Sequence, residues 1–76
     1  MALIRNLEKR VINARVHEEV KADYNVVVQD GQKYIQINTY GSENRPTQKV
    51  SQTIQLNEDS ARQLLKIIRA ELGVSL

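Results

Sequence analysis

Cysteine, tryptophan and phenylalanine are absent from this chain of 76 residues, which has one proline and three glycines. Without cysteine the chain can form no disulfide and no thiolate metal site. A chain of this length is only marginally stable by itself, because a domain of about 60 residues buries only about 60% of its unfolded surface. Oligomerisation is the remaining common source of stability for so small a scaffold, so we expect a homodimer.

Long apolar runs are also missing. No stretch approaches the ~20 apolar residues of a membrane span. The N-terminal sequence MALIRNLEKRVINARV lacks the apolar core of a signal peptide. We therefore expect a cytoplasmic protein, with nucleoid association as an option, that has no membrane partner. The formal net charge of +2 permits a polyanionic partner without requiring one.

Groups for catalysis or metal binding are sparse. His17 is the only histidine, and its neighbours Glu18 and Glu19 would point to opposite faces of a strand. The three glycines are isolated from one another, so no phosphate-binding loop is present. The sequence predicts no enzyme activity, no cofactor, no metal and no small-molecule substrate.

Two patterns occupy the first 29 residues. Apolar residues recur at helical spacing near the N-terminus: Leu3, Ile4, Leu7 and Val11. This spacing predicts a short N-terminal helix over residues 1–12, or else a leader with little structure. Residues 14–29 alternate between apolar and polar for about fifteen residues, longer than the usual strand of about 5–6. They form either one long bent strand or two strands that meet at a corner near residues 21–23.

The rest of the chain predicts a hairpin, a polar loop, another strand and a helix. Asp30-Gly31 is typical of a two-residue hairpin turn, and alternating strands follow over residues 33–40 and 49–56. Asn57 is a favourable N-cap for a helix over residues 58–72, and the following glycine suits its C-cap. We predict a single domain over residues 1–76 with an α+β fold. It consists of the N-terminal helix, a curved antiparallel sheet of three to four strands within residues 14–56, and the C-terminal helix.

One face of the predicted sheet is polar but almost uncharged. Tyrosine rings on such a face can stack on unpaired bases, while amides and hydroxyls offer tolerant hydrogen bonds and nearby cations contact phosphates. A duplex would hide the base faces, so a single strand fits better. The alternative is ordinary solvent-facing surface, with the tyrosines packed at strand ends. The predicted nucleic-acid-binding residues are Tyr34, Gln36, Asn38, Tyr40, Arg45, Lys49, Ser51 and Thr53.

Four segments in this region also carry a family resemblance. They are Ile37-Asn38-Thr39-Tyr40, Arg45-Pro46, Lys49, and Ile54-Gln55-Leu56-Asn57 followed at once by the predicted helix. In this order they resemble the single-stranded DNA-binding domain of the positive cofactor four (PC4-like) family of transcriptional coactivators. The resemblance covers roughly the last two thirds of the chain. It implies four antiparallel strands followed by a helix, a dimer whose curved sheets bind melted DNA, and DNA contacts by Tyr40, Arg45 and Lys49.

Two hypotheses about function follow. The first is a dimeric protein that binds single-stranded DNA or RNA, DNA in particular, as an accessory in transcription regulation, replication or repair. The second is a protein-interaction or assembly module without nucleic-acid activity. Its basis is the modest net charge and the wide apolar stripe of the C-terminal helix.

Overall fold

The computed structural model describes residues 1–41 and 49–75, which form a four-stranded mixed sheet followed by one helix. In chain order the elements are β1 (Ala2–Ile4), β2 (Ala22–Gln29), β3 (Gln32–Tyr40), β4 (Val50–Leu56) and α1 (Glu58–Leu72). The strands lie side by side in the order β1-β4-β3-β2. The predicted α+β class is confirmed. No helix in the described part of the chain is long and apolar enough to cross a membrane.

The hairpin between β2 and β3 is the one predicted from the sequence. Asp30 and Gly31 both have positive φ, at 51° and 75°, as a two-residue turn of this kind requires. The turn places Tyr24 opposite Ile37 and Asn25 opposite Gln36. Because side chains alternate along a strand, this register gives the hairpin one largely apolar face and one polar face.

Strand β4 pairs antiparallel with β3 and continues both faces. Ile54 lies opposite Ile37 on the apolar side, and Thr53 lies opposite Asn38 on the polar side. A β-bulge interrupts the register near Tyr40, which pairs with Val50. A bulge bends the strand and changes the direction of the side chains next to it.

The predicted N-terminal helix over residues 1–12 is wrong. Ala2–Ile4 instead form β1, which runs parallel to β4. The sheet is therefore mixed, whereas the sequence predicted an antiparallel sheet. Pairing with β1 satisfies backbone groups along the edge of β4, which a helix at this position could not do. A helix would also gain little from Val11, because that side chain is nearly fully exposed. The helical spacing was therefore coincidental.

The alternation over residues 14–29 overestimates the strand. Only Ala22–Gln29 form β2, and residues 5–21 contain no helix or strand. Val16 is 96% exposed, so the alternation before residue 22 matches no buried surface within the chain. Besides alternating side chains, a strand needs a neighbouring strand that pairs with its backbone N–H and C=O groups. The pairing of β3 with β2 ends at Ala22, so the strand ends there too.

Helix α1 has the predicted bounds and the predicted caps. The Asn57 side chain accepts a hydrogen bond from the Ser60 amide at 2.8 Å, and the Ser60 hydroxyl accepts one from the Asn57 amide at 3.0 Å. Gly73 ends the helix with a left-handed φ of 66°, and its N–H donates to the Arg69 carbonyl at 3.2 Å. These bonds satisfy backbone groups that a helix end otherwise leaves without partners.

The helix contacts both the sheet and the segment that follows β1. It contacts β3 and β4. The Leu7 amide donates to Gln63 Oε1 at 2.9 Å, and Lys9 forms an ion pair with Glu71 at 3.0 Å. Residues 7–9 therefore pass beside α1.

We expect Asn57→Ala to lower the free energy of unfolding by about 1 kcal/mol, because the capping bonds at the start of α1 are lost. Urea unfolding followed by circular dichroism measures this change. Asn57→Ser is the matched control, since it keeps a side-chain acceptor at the cap and should retain most of the stability. Equal losses for the two variants would contradict the capping role.

Candidate nucleic-acid interface

The polar face of the sheet gathers side chains from three strands. Tyr34, Gln36, Asn38 and Tyr40 alternate along β3, and the register places Thr53 of β4 beside them. The structure thus brings five of the eight predicted binding residues onto one surface. We call this surface the polar face and define it by Asp23, Asn25, Tyr34, Gln36, Asn38, Tyr40, Thr53 and Gln55.

A row of hydrogen bonds crosses the polar face from β4 to β2. Gln55 Nε2 donates to Gln36 Oε1 at 2.9 Å, and Gln36 Nε2 donates to Asn38 Oδ1 at 3.0 Å. Thr53 is only 8% exposed, and its hydroxyl also donates to Asn38 Oδ1, at 3.0 Å. Asn38 Nδ2 then donates to Asp23 Oδ1 at 2.8 Å. These bonds fix the planes of the amides. Gln36 and Gln55 keep further donor or acceptor capacity, whereas Asn38 uses all of its capacity within the polar face.

Asp23 is the acceptor at which this row ends. Its second oxygen accepts a hydrogen bond of 2.5 Å from the Tyr40 hydroxyl, while Asn38 Nδ2 also lies 3.3 Å from Asn25 Oδ1. The Tyr40 hydroxyl, and then the Asn38 amide, lower the pKa of Asp23 below its ordinary 3.8, because both donate to the ionised carboxylate. The same bond raises the pKa of Tyr40 above 10.0. Asp23 is therefore ionised at neutral pH, and it orients the tyrosine and the amide beside it.

We expect Asp23→Asn to lower the titration midpoint of Tyr40 toward its ordinary 10.0, because the ionised acceptor of its hydroxyl is removed. NMR of the Tyr40 ring during an alkaline titration measures this shift. A midpoint that is the same in both proteins would contradict the contact.

The hydrogen bond from Tyr40 to Asp23 also makes the free energy of unfolding depend on pH in the acid range. The pKa of Asp23 is lower in the folded chain, so its contribution is present above pH 3.8 and is lost as the pH falls through the folded value.

The two tyrosines of the polar face lie on either side of Gln36 and Asn38 along β3. Both are partly buried, and Tyr40 lies six positions after Tyr34 along β3. At about 3.3 Å per residue the separation is about 20 Å. The third tyrosine, Tyr24, lies on the apolar side opposite Ile37 and is 73% exposed. One face therefore offers two separate aromatic rings with polar groups between them.

The Tyr40 end of the polar face has lysines on both sides. The Tyr40 amide donates to the Lys21 carbonyl at 3.0 Å, and Lys49 immediately precedes Val50, the register partner of Tyr40. Both lysines are exposed. Lys33, which precedes Tyr34 in the sequence, pairs with Val28 and so belongs to the opposite face.

Two predicted residues lie apart from this cluster. Ser51 is exposed and lies at the bulge, between the paired residues Val50 and Gln52. Arg45 falls in residues 42–48, outside the described part of the chain. The structure thus places Ser51 beside the Tyr40 end of the face without a register partner of its own.

Asp23, Asn25 and Lys21 were missed as members of the site. In the sequence they fall in a long alternating run whose partner strand was unknown, so their face was undetermined. Counting outward from the Asp30-Gly31 turn predicts their face, because a two-residue hairpin turn places Asp23 opposite Asn38. That register could have been counted from the turn.

No protein-family model, curated protein or solved structure matches this chain. Within residues 1–41 and 49–75, no group of three histidine, aspartate or glutamate side chains could hold a metal ion. The geometry of the polar face is therefore the basis on which a function can be assigned.

Proposed function

We propose that this protein binds single-stranded nucleic acid, DNA in particular, across the polar face of its sheet, as an accessory in transcription, replication or repair. The observation that carries the proposal is the placement of Tyr34 and Tyr40 on one face of β3, on either side of the hydrogen-bonded amides of Gln36 and Asn38.

Each part of the polar face suits a different part of a single strand. A tyrosine ring can stack on any base, and stacking contributes about 1–3 kcal/mol per base. Between the rings, Gln36 and Gln55 present amides that are held in place by hydrogen bonds to each other and to Asn38, and each keeps an unused donor or acceptor. Such groups can hydrogen-bond the exposed edges of unpaired bases, whereas a duplex keeps its base faces stacked and hidden. This combination favours single strands without fixing a sequence.

The length of the face sets a minimum length for the ligand. Each stacked nucleotide advances a single strand by about 3.4 Å, so about six nucleotides span the roughly 20 Å between Tyr34 and Tyr40. Fewer nucleotides suffice if the strand is extended. The carboxylate of Asp23 would repel a phosphate nearby. We therefore place the phosphates along the margins of the Tyr40 end, toward Lys21 and Lys49.

Fluorescence anisotropy with labelled oligonucleotides tests the proposal. We expect a single strand of about 20 nucleotides to bind more tightly than the duplex of the same sequence, and a trinucleotide to bind weakly because it cannot reach both tyrosines. Binding should weaken as salt is raised, because phosphate contacts release counterions. No binding of the long single strand by micromolar protein at low salt would overturn the proposal.

The lysines provide a finer test of the same surface. We expect Lys21→Ala and Lys49→Ala each to reduce the slope of log affinity against log salt by about 0.7, the value for one phosphate contact on a single strand. Lys66→Ala is the matched control, because Lys66 lies on α1 beside residues 7–10 and away from the polar face. An equal reduction for all three lysines would indicate a diffuse charge effect and contradict this placement.

A further inference from the structure

Asp23 is the only charged side chain among the residues that define the polar face. It is exposed, and its Oδ1 accepts a hydrogen bond from Asn38 Nδ2 at 2.8 Å. Its Oδ2 accepts one from the Tyr40 hydroxyl at 2.5 Å. An ionised carboxylate has about four lone-pair sites, so each oxygen keeps a free acceptor site. Because the two contacts are on different oxygens, they hold the carboxylate in one orientation before any ligand binds.

A carboxylate is an unfavourable group on a surface that binds a polyanion, because it repels the phosphates. It is not required for orienting its neighbours, since the oxygen of a neutral amide also accepts hydrogen bonds from a hydroxyl or another amide. Its free acceptor sites suit a ligand group that has adjacent N–H donors and no phosphate. The edge of an unpaired base is such a group.

The Tyr40 ring brings the edge of a stacked base to this carboxylate. The ring's hydroxyl points at Asp23, so the carboxylate lies just beyond the end of the ring. A purine is longer than a phenol ring. A purine that stacks on Tyr40 and extends past the hydroxyl therefore has its edge within hydrogen-bond reach of the carboxylate.

We propose that Asp23 selects guanine for the position that stacks on Tyr40. This inference rests on the proposed function and names the base that this end of the polar face prefers. In guanine, N1–H and the N2 amino group are adjacent donors, and the two oxygens of one carboxylate can accept from both, as they do from the parallel donors of an arginine. This contact is bidentate and charge-assisted, so it is strong as well as selective.

The other bases have acceptors where guanine has its second donor. Adenine and cytosine each present one amino group beside a ring nitrogen that accepts, and thymine presents one N–H between two carbonyl oxygens. An ionised carboxylate only accepts, so it repels these nitrogens and oxygens. The sugar of guanine is attached to its other ring, so the sugar and its phosphate lie away from Asp23, toward Lys49 at the end of β4.

Fluorescence anisotropy with three strands of 20 nucleotides tests the preference, in a lithium buffer that keeps guanines from associating. One strand is all thymine, one alternates thymine with guanine, and one alternates thymine with inosine, which lacks the N2 amino group. A bidentate contact discriminates between bases by about 5- to 150-fold. Half of the registers of an alternating strand place its purine on Tyr40, so we expect the guanine strand to bind about 3- to 75-fold more tightly than the thymine strand. The inosine strand should lose most of this gain.

Inosine is the matched control for stacking, because its rings have the shape of guanine. If the guanine and inosine strands bind equally well, the inference is overturned, while the proposed function stands. If none of the strands binds, both are overturned. These measurements use the unmodified chain, so they do not depend on whether a variant folds.

Asp23→Asn tests whether this side chain is the selecting group. Asparagine presents one acceptor and one donor, and every base has an edge with the complementary pair. We therefore expect the variant to bind the guanine and inosine strands about equally well, and the thymine strand at least as tightly as the unmodified chain does. Asp30→Asn is the matched control, because it removes the same charge at the hairpin turn, where asparagine also adopts positive φ. It should keep the preference. A guanine preference that persists in Asp23→Asn, or that Asp30→Asn loses equally, would exclude Asp23 as the selecting group.

Discussion

Tyr34→Ala and Tyr40→Ala should each weaken binding of a single strand by about 5- to 150-fold, the equivalent of about 1–3 kcal/mol for one stacked base. The two rings lie about 20 Å apart on one face of β3, so they contact different bases and their effects should add. The double variant should therefore bind too weakly to detect at micromolar concentration. Fluorescence anisotropy with the 20-nucleotide strand measures all three proteins.

Tyr24→Ala is the matched control for this pair. It is the same substitution on the same sheet, but Tyr24 lies opposite Ile37 on the apolar face. We expect its affinity for single strands to stay close to that of the unmodified chain, provided light scattering shows that its oligomeric state is unchanged. If Tyr24→Ala weakens binding as much as Tyr34→Ala does, then the polar face is not the binding surface.

Leu56→Ala should leave most of the protein unfolded at room temperature. Leu56 is 4% exposed, and its register partners are Ile4 on β1 and Ile35 on β3. Truncating a buried leucine costs about 2–5 kcal/mol. The core of a domain this small seldom supplies more than about 3–5 kcal/mol. Urea unfolding and circular dichroism at one fixed protein concentration measure the loss.

Leu3→Ala is the control for this substitution. It removes the same atoms from the neighbouring strand, but Leu3 is about half exposed and pairs with Gln55. We expect its loss of stability to be well below that of Leu56→Ala, because less apolar surface returns to water. Similar losses for the two leucines would mean that Leu56 is not the centre of the packing.

Local signals predicted the second half of the chain well. Asp30-Gly31 specified its hairpin through positive φ, which few residue types adopt easily. Asn57 and Gly73 specified the ends of α1 through bonds within a few residues of each terminus. The alternation along β3 likewise placed Tyr34 and Tyr40 on one face, because a strand repeats every two residues.

Long-range pairing decided what the sequence could not. The apolar residues of β1 are compatible with either a helix or a strand. They form a strand because they pair with the edge of β4, more than 50 residues later in the sequence. Asp23 has an ordinary sequence context, and its role depends on the register that brings Asn38 and Tyr40 to its two oxygens. The sequence by itself therefore determined the turns, the helix and the composition of the polar face, since each depends on near neighbours. Only the tertiary structure decided the mixed sheet and the hydrogen-bonded row across three strands, because these depend on which distant segments pair.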